Sequence, residues 1–130
     1  MQCAYDYAIV RVVPRVERGE FVNAGAIVSC QTRDFLDARI ELVESRLLAL
    51  DPRADLDAIR ENLASIVRIC QGGAHAGPIG ALTQRERFHW LVAPRSTIIQ
   101  TSPVHSGRCG DPHDVLEHLI KTMVRRPSEK

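Results

Sequence analysis

Two stretches of the sequence hold polar side chains at a density that could do chemistry. The first comprises Arg11, Arg15, Arg18, Glu20 and Asn23, around the turn RVERGE. Three guanidinium groups projecting from a strand and its adjoining loop are suited to clamping a phosphate or carboxylate, and Asn23 would add a neutral donor. The competing reading is a solvated hairpin end on which Glu17 and Glu20 pair with the arginines, as surface ion pairs of little energetic weight. The second stretch, RFHWLVAPRSTIIQTSPVHSG, supplies Arg87, His89, Trp90, Arg95, Ser96, Gln100, Ser102, His105 and Gly107. Between Ala81 and Gly110 four arginines stand against the single Glu86, the one long stretch with a local positive excess. Hydroxyl, amide and imidazole groups followed by a glycine loop into a helix N-terminus are what a small polar-ligand pocket requires. The competing reading assigns Phe88 and Trp90 to core packing and His89 and His105 to the surface.

Other chemistries fit less well. His105, Cys109, His113 and His118 contain potential zinc donors, but Gly107, Gly110 and Pro112 interrupt helical geometry and the spacing matches no metal site. Cys109 stands beside Arg108 and before a helix N-terminus, conditions that favour a thiolate, yet Asp111 opposes them and no orienting base can be named. GGAHAGPIG lacks the Lys-Ser/Thr ending of a phosphate loop, and GEFVNAGA lacks dinucleotide-binding spacing. No metal or cofactor is expected, and no catalytic set is recognisable.

The chain has 130 residues, 45% of them hydrophobic and 25% charged, enough for one core and too few for two. Its 17 basic and 16 acidic residues nearly cancel, which argues against whole-chain attraction to nucleic acid or an anionic membrane. No apolar leader or 18-residue apolar run occurs, so a cytoplasmic protein is expected. Cys3, Cys30, Cys70 and Cys109 follow at intervals of 27, 40 and 39, none of them a short metal or redox pair. Four free, mostly buried thiols are the expectation.

The elements that must position these side chains follow from periodicity. Tyr5, Tyr7, Ile9 and Val13 lie on one side of an extended segment that ends at Pro14; FVNAGAIVSC reads as a second strand and Asp34 to Val43 as a third, giving an antiparallel meander. ESRLLAL suits two helical turns, and Leu56, Ile59, Leu63, Ile66, Val67 and Cys70 form a helical stripe stopped by Gly72-Gly73. AHAGPIG reads as a flexible connection. Thr83 and Glu86 have capping-box spacing before a helix through Val92, for which a strand is the rival, and STIIQT suits a fourth strand. Asp111-Pro112 opens a last helix carrying Val115, Leu116, Leu119, Ile120, Met123 and Val124. The expected fold is α+β: a sheet of about four strands with about three helices on one face, one domain over residues 1–126 and a flexible tail over 127–130.

Three long segments, YDYAIVRVVPRVERGEFVNAGAIVSC, LDPRADLDAI and RFHWLVAPRSTIIQTSPVHSG with the following DPHDVLEHL, resemble the bacterial family catalogued as domain of unknown function 3037. The resemblance implies no established activity. It does imply a genomic setting, since members are often encoded beside a HipA-like kinase, and hence an accessory role toward such a kinase as one expectation. A non-enzymatic interaction or regulatory module is therefore the leading functional reading. A small binder or enzyme for a phosphorylated ligand or nucleotide is the alternative, and nucleic-acid binding the weaker one. If the fourth strand joins the meander beside the first, the two polar stretches should meet in space.

Overall fold

Ala8, Ile9 and Val10 are all buried, so the middle of their strand is covered on both faces, and that determines the layering. In the computed structural model, which describes residues 2–127, β1 (Cys3–Val12), β2 (Val22–Cys30) and β3 (Phe35–Ile40) form the expected antiparallel meander. The other edge of β1 is shared by β4 (Ile99–Thr101), opposite Val10–Val12, and β5 (His105–Cys109), opposite Cys3–Tyr7. The sheet order is β3-β2-β1-β4, with β5 also on β1. Residues 128–130 of the expected tail lie outside the described residues.

The helices are α1 (Glu44–Leu50), α2 (Leu56–Gln71), α3 (Gln84–Val92) and α4 (Pro112–Leu119), the last continuing as a π-helical turn, Ile120–Val124. The chain is thus α+β, with α1, α2 and α3 on one side of the sheet. Val10, Val12, Ala38, Leu47, Leu63, Ile66 and Phe88 belong to that core. The expectation of helices on a single face needs one correction: α4 covers the other face, where Leu116, Leu119, Ile120 and Val124 pack on Ile9, Ala26 and Val28. The reason lies in the central strands, whose apolar runs present side chains both ways, and burying each aliphatic chain stabilises the fold by about 1.5–3 kcal/mol.

A bulge sets the register. Val10 pairs with Gly25 but Arg11 with Asn23, so Ala24 is extra and β2 changes which alternate residues face α2. Gly25 is required there, because a Cβ would lie 2.5 Å from the Arg39 carbonyl oxygen. The Thr83–Glu86 capping box forms, confirming α3 as a helix, and Asp55 and Asp111 cap α2 and α4. AHAGPIG, expected to be irregular, is wound into tight 3-10 turns with a kink at Gly77. β5 goes beyond the expected four strands: His105 to Arg108 show no buried apolar alternation, and only Cys109 is buried. Among the described residues no helix is long and apolar enough to cross a membrane.

Candidate functional site: the groove between α2, α3 and β4

After α3 ends at Val92 the chain turns back through Pro94, and Arg95 donates from its guanidinium to the Trp90 and Leu91 carbonyl oxygens, closing the helix C-terminus with a cation. The same guanidinium lies 4.3 Å from the centre of the Trp90 ring. The Val13 amide then donates to Ile98 (2.7 Å) and fixes the start of β4 against β1. Between α2, α3 and β4 these turns leave an open groove of about 630 Å³. Ile66, Ile69 and Leu91 are its apolar floor, while Trp90 (40% exposed), Ile98 (42%) and Val16 (40%) form an apolar rim.

Arg95 is the only charged residue lining the groove, and among the described residues it has no carboxylate partner. Burial pushes its guanidinium down from the ordinary range without threatening its charge. Its carbonyl contacts leave further N–H donors for a ligand. Ser96 and Thr97 add exposed hydroxyl side chains beside it, and Gln100 lines the same wall while donating to the Thr97 carbonyl (2.8 Å). A second depression, between β3 and α2, is less suited to a charged ligand: its Arg60 is taken by Glu44 and Asp57, and its Arg68 by Glu61.

The sequence-selected residues divide among three surroundings. Arg95, Ser96 and Gln100 line the groove, with Val16 of the hairpin turn at its rim. Arg11 is the cross-strand neighbour of both Gln100 and Asn23, so the two stretches adjoin, but its guanidinium stacks on Phe21 at 4.2 Å. Asn23 donates to the Met123 carbonyl and ties β2 to the π-helical turn; Arg11 Nε and Asn23 Oδ1 are buried without partners. On the hairpin end Arg18 pairs with Glu20 at 2.7 Å and Arg15 with Glu17 at 3.4 Å and Asp51 at 4.0 Å, the solvated arrangement weighed from the sequence. These arginines do not converge with Arg11 on one anion.

Two others are occupied structurally. Arg87 donates to the carbonyls of Ile69, Cys70 and Leu82, closing the end of α2. Ser102 is buried; its hydroxyl accepts from the Ile9 amide (2.9 Å) and donates to the Pro103 carbonyl, bridging β1 where β4 gives way to β5. His105 is exposed, its ring 5.4 Å from that of Tyr7, while His113 packs edge-on to Phe35 at 4.7 Å. Among the described residues no group of three or more His, Cys, Asp or Glu is arranged to hold a metal ion.

Sequence reasoning missed one polar cluster. Asp6 has Ser29 and Ser106 as its cross-strand neighbours, accepts from Ser106 (2.6 Å) and pairs with Arg85 of α3 (2.9 Å), which also reaches Ser29 (3.3 Å). Burial alone would raise the Asp6 carboxyl, but the hydrogen bonds from Ser106 and Arg85 and the Arg85 charge outweigh it and hold it below the ordinary carboxylate range. Its donors and acceptors are mutually satisfied, so the cluster ties α3 to the sheet. Only the pairing of β5, invisible in its composition, places Ser106 there.

No curated protein and no solved structure matches the chain. The family described as "Protein of unknown function (DUF3037)" matches residues 7–124, which takes in the groove, α4 and the sheet apart from the first four residues of β1, and the chain belongs to that family.

Proposed function

We propose that the protein is a non-enzymatic interaction module whose groove between α2, α3 and β4 takes an extended segment of a protein partner, an apolar side chain followed by a carboxylate. The observation that carries this reading is Arg95: a cation without a carboxylate partner, stacked on an exposed tryptophan above an apolar floor. Tryptophan and arginine are the residue types that most often dominate binding energy, particularly beside a pocket that excludes water. The apolar floor would accept the anchor, and Arg95 the acidic group, with the Ser96 hydroxyl available to its backbone.

The genomic setting that the family resemblance implies makes a HipA-like kinase the first partner to try. Phosphorylated ligands and nucleotides are the competing occupants, since an arginine without a carboxylate partner beside the Ser96 hydroxyl also suits an anion. Nucleic acid is less well supported, because Arg15, Arg18, Arg39, Arg60, Arg68, Arg85 and Arg125 are each engaged by carboxylates.

The test is co-purification from the native host with wild type and with Trp90→Ala and Arg95→Ala. The wild type should recover the kinase, and each variant should weaken the complex by about 2 kcal/mol or more while remaining folded. Stabilisation by phosphate or a nucleotide, abolished in Arg95→Ala and without any protein partner, would replace this reading with the small-ligand one.

A further inference from the structure

Antiparallel pairing gathers three cysteines that are far apart in sequence. Cys3 of β1 is directly opposite Cys109 of β5, and the β1–β2 register places Cys30 on the adjoining strand near both. The Cys3 and Cys30 sulfurs are 3.1 Å apart, and Cys3 and Cys109 3.9 Å. All three thiols are free and packed together, but they are not equivalent. Cys30 is fully enclosed, whereas Cys3 forms part of the wall of an open groove of about 420 Å³ at this end of the sheet. Arg33 and Arg108 line that groove, and among the described residues that line it there is no carboxylate. The fourth cysteine, Cys70, is buried in the other core and lies outside this cluster.

We propose that this end of the sheet is a thiol–disulfide exchange site, in which Cys3 attacks an anionic low-molecular-weight disulfide drawn to the Arg108 guanidinium, and Cys30 resolves the product. The Cys3 sulfur, as thiolate, forms a bond to one sulfur of the disulfide; the S–S bond breaks, and the first leaving thiolate takes up a proton. The Cys30 thiol then attacks the Cys3 sulfur and expels the second thiolate, which leaves with the proton that Cys30 gives up. Two cysteine thiols are oxidised to one Cys3–Cys30 disulfide and the external disulfide is reduced to two thiols. Only about 1 Å of approach separates the two sulfurs from the bonding distance of about 2.05 Å.

The surroundings assign the roles. Hydrogen bonding from Cys30, aided by Cys109, Thr32 and the Arg33 charge, outweighs burial and lowers the Cys3 thiol from its ordinary range. Burial pushes Cys109 up to about 11, so it remains protonated beside the reacting pair. Burial pushes Cys70 up to about 12, making it an internal control for unreactive thiols.

The test uses the reduced full chain and two reagents, oxidised glutathione, which is anionic, and hydroxyethyl disulfide, which is neutral. Oxidised glutathione should give a product two hydrogens lighter, and non-reducing peptide mapping should find Cys3 linked to Cys30. Cys30→Ala should stop at one glutathionyl group on Cys3. Arg108→Gln, which removes the groove charge that does not act on the Cys3 thiol, should slow the reaction with oxidised glutathione by about threefold or more and leave that with the neutral reagent unchanged. The mapping in wild type stands even if Cys30→Ala fails to fold. No intramolecular disulfide, a disulfide that uses Cys109 or Cys70, or equal slowing with both reagents would overturn the proposal.

Discussion

Arg11 of β1 stands directly opposite Gln100 of β4, so the two polar stretches of the sequence share one strand pair. Adjacency in the backbone does not make them one pocket. Arg11 stacks on Phe21, Arg18 is held by Glu20, and the groove retains Arg95 as its single charge. A functional difference follows between arginines that look alike in the sequence. Arg95→Ala should weaken partner binding, whereas Arg18→Ala, on an exposed hairpin, should leave both binding and stability essentially unchanged. Calorimetric titration of both variants with the partner checks this.

Ser102→Ala should destabilise the fold by about 1–3 kcal/mol, because the buried Ile9 amide loses its side-chain acceptor. Binding at the groove should be unaffected in the fraction that remains folded. Urea denaturation combined with a binding titration separates the two quantities.

Asp6 provides a pH signature. Its carboxyl is held below the ordinary range in the folded protein, so its contribution is fully present above the unfolded value of about 3.9 and is lost as pH falls through the lower folded value. Asp6→Asn should therefore cost about 1 kcal/mol at neutral pH, with the gap to wild type closing in acid below about pH 4. Taking the difference between the two proteins cancels the contributions of Glu20, Glu41 and Glu86, which are also lowered by their partners. Denaturant titrations at several pH values measure it.

Two glycines should respond differently to alanine. At Gly25 the added Cβ meets the Arg39 backbone oxygen at 2.5 Å, and the bulged strand cannot easily yield. At Gly107 it meets the Tyr5 hydroxyl at 2.7 Å and the ring beside it, a side chain that can swing aside. Gly25→Ala is expected to cost about 1–3 kcal/mol or more, and Gly107→Ala clearly less. Thermal melts of both variants decide the order.

Much of the fold was legible because most of its elements carry their own punctuation: alternation in β1, the stripe of α2, the capping box of α3 and Asp111-Pro112 before α4. The second helical layer was not drawn, although the unbroken run Ala24 to Cys30, buried throughout, has the pattern of a strand covered on both faces. β5 left no such signal, since an edge strand of His, Ser, Gly and Arg meets solvent and needs only its backbone to pair. The site was partly legible for a related reason. Arg95, Ser96 and Gln100 were selected by local density, but nothing in the sequence distinguishes Arg95 from Arg87, whose guanidinium is occupied by the carbonyls of α2. The three clustered cysteines were hidden by intervals of 27 and 79 residues, which only strand register closes.

The most direct measurement of the central claim uses the single tryptophan of the chain. Trp90 is 40% exposed at the groove rim with Arg95 stacked on it, so its fluorescence reports occupancy without a label. Titrating wild type with the isolated partner should shift Trp90 emission to the blue and reduce quenching by acrylamide, with the same midpoint as binding measured calorimetrically. A partner that binds while Trp90 emission and quenching remain those of the free protein would contradict the assignment of the groove.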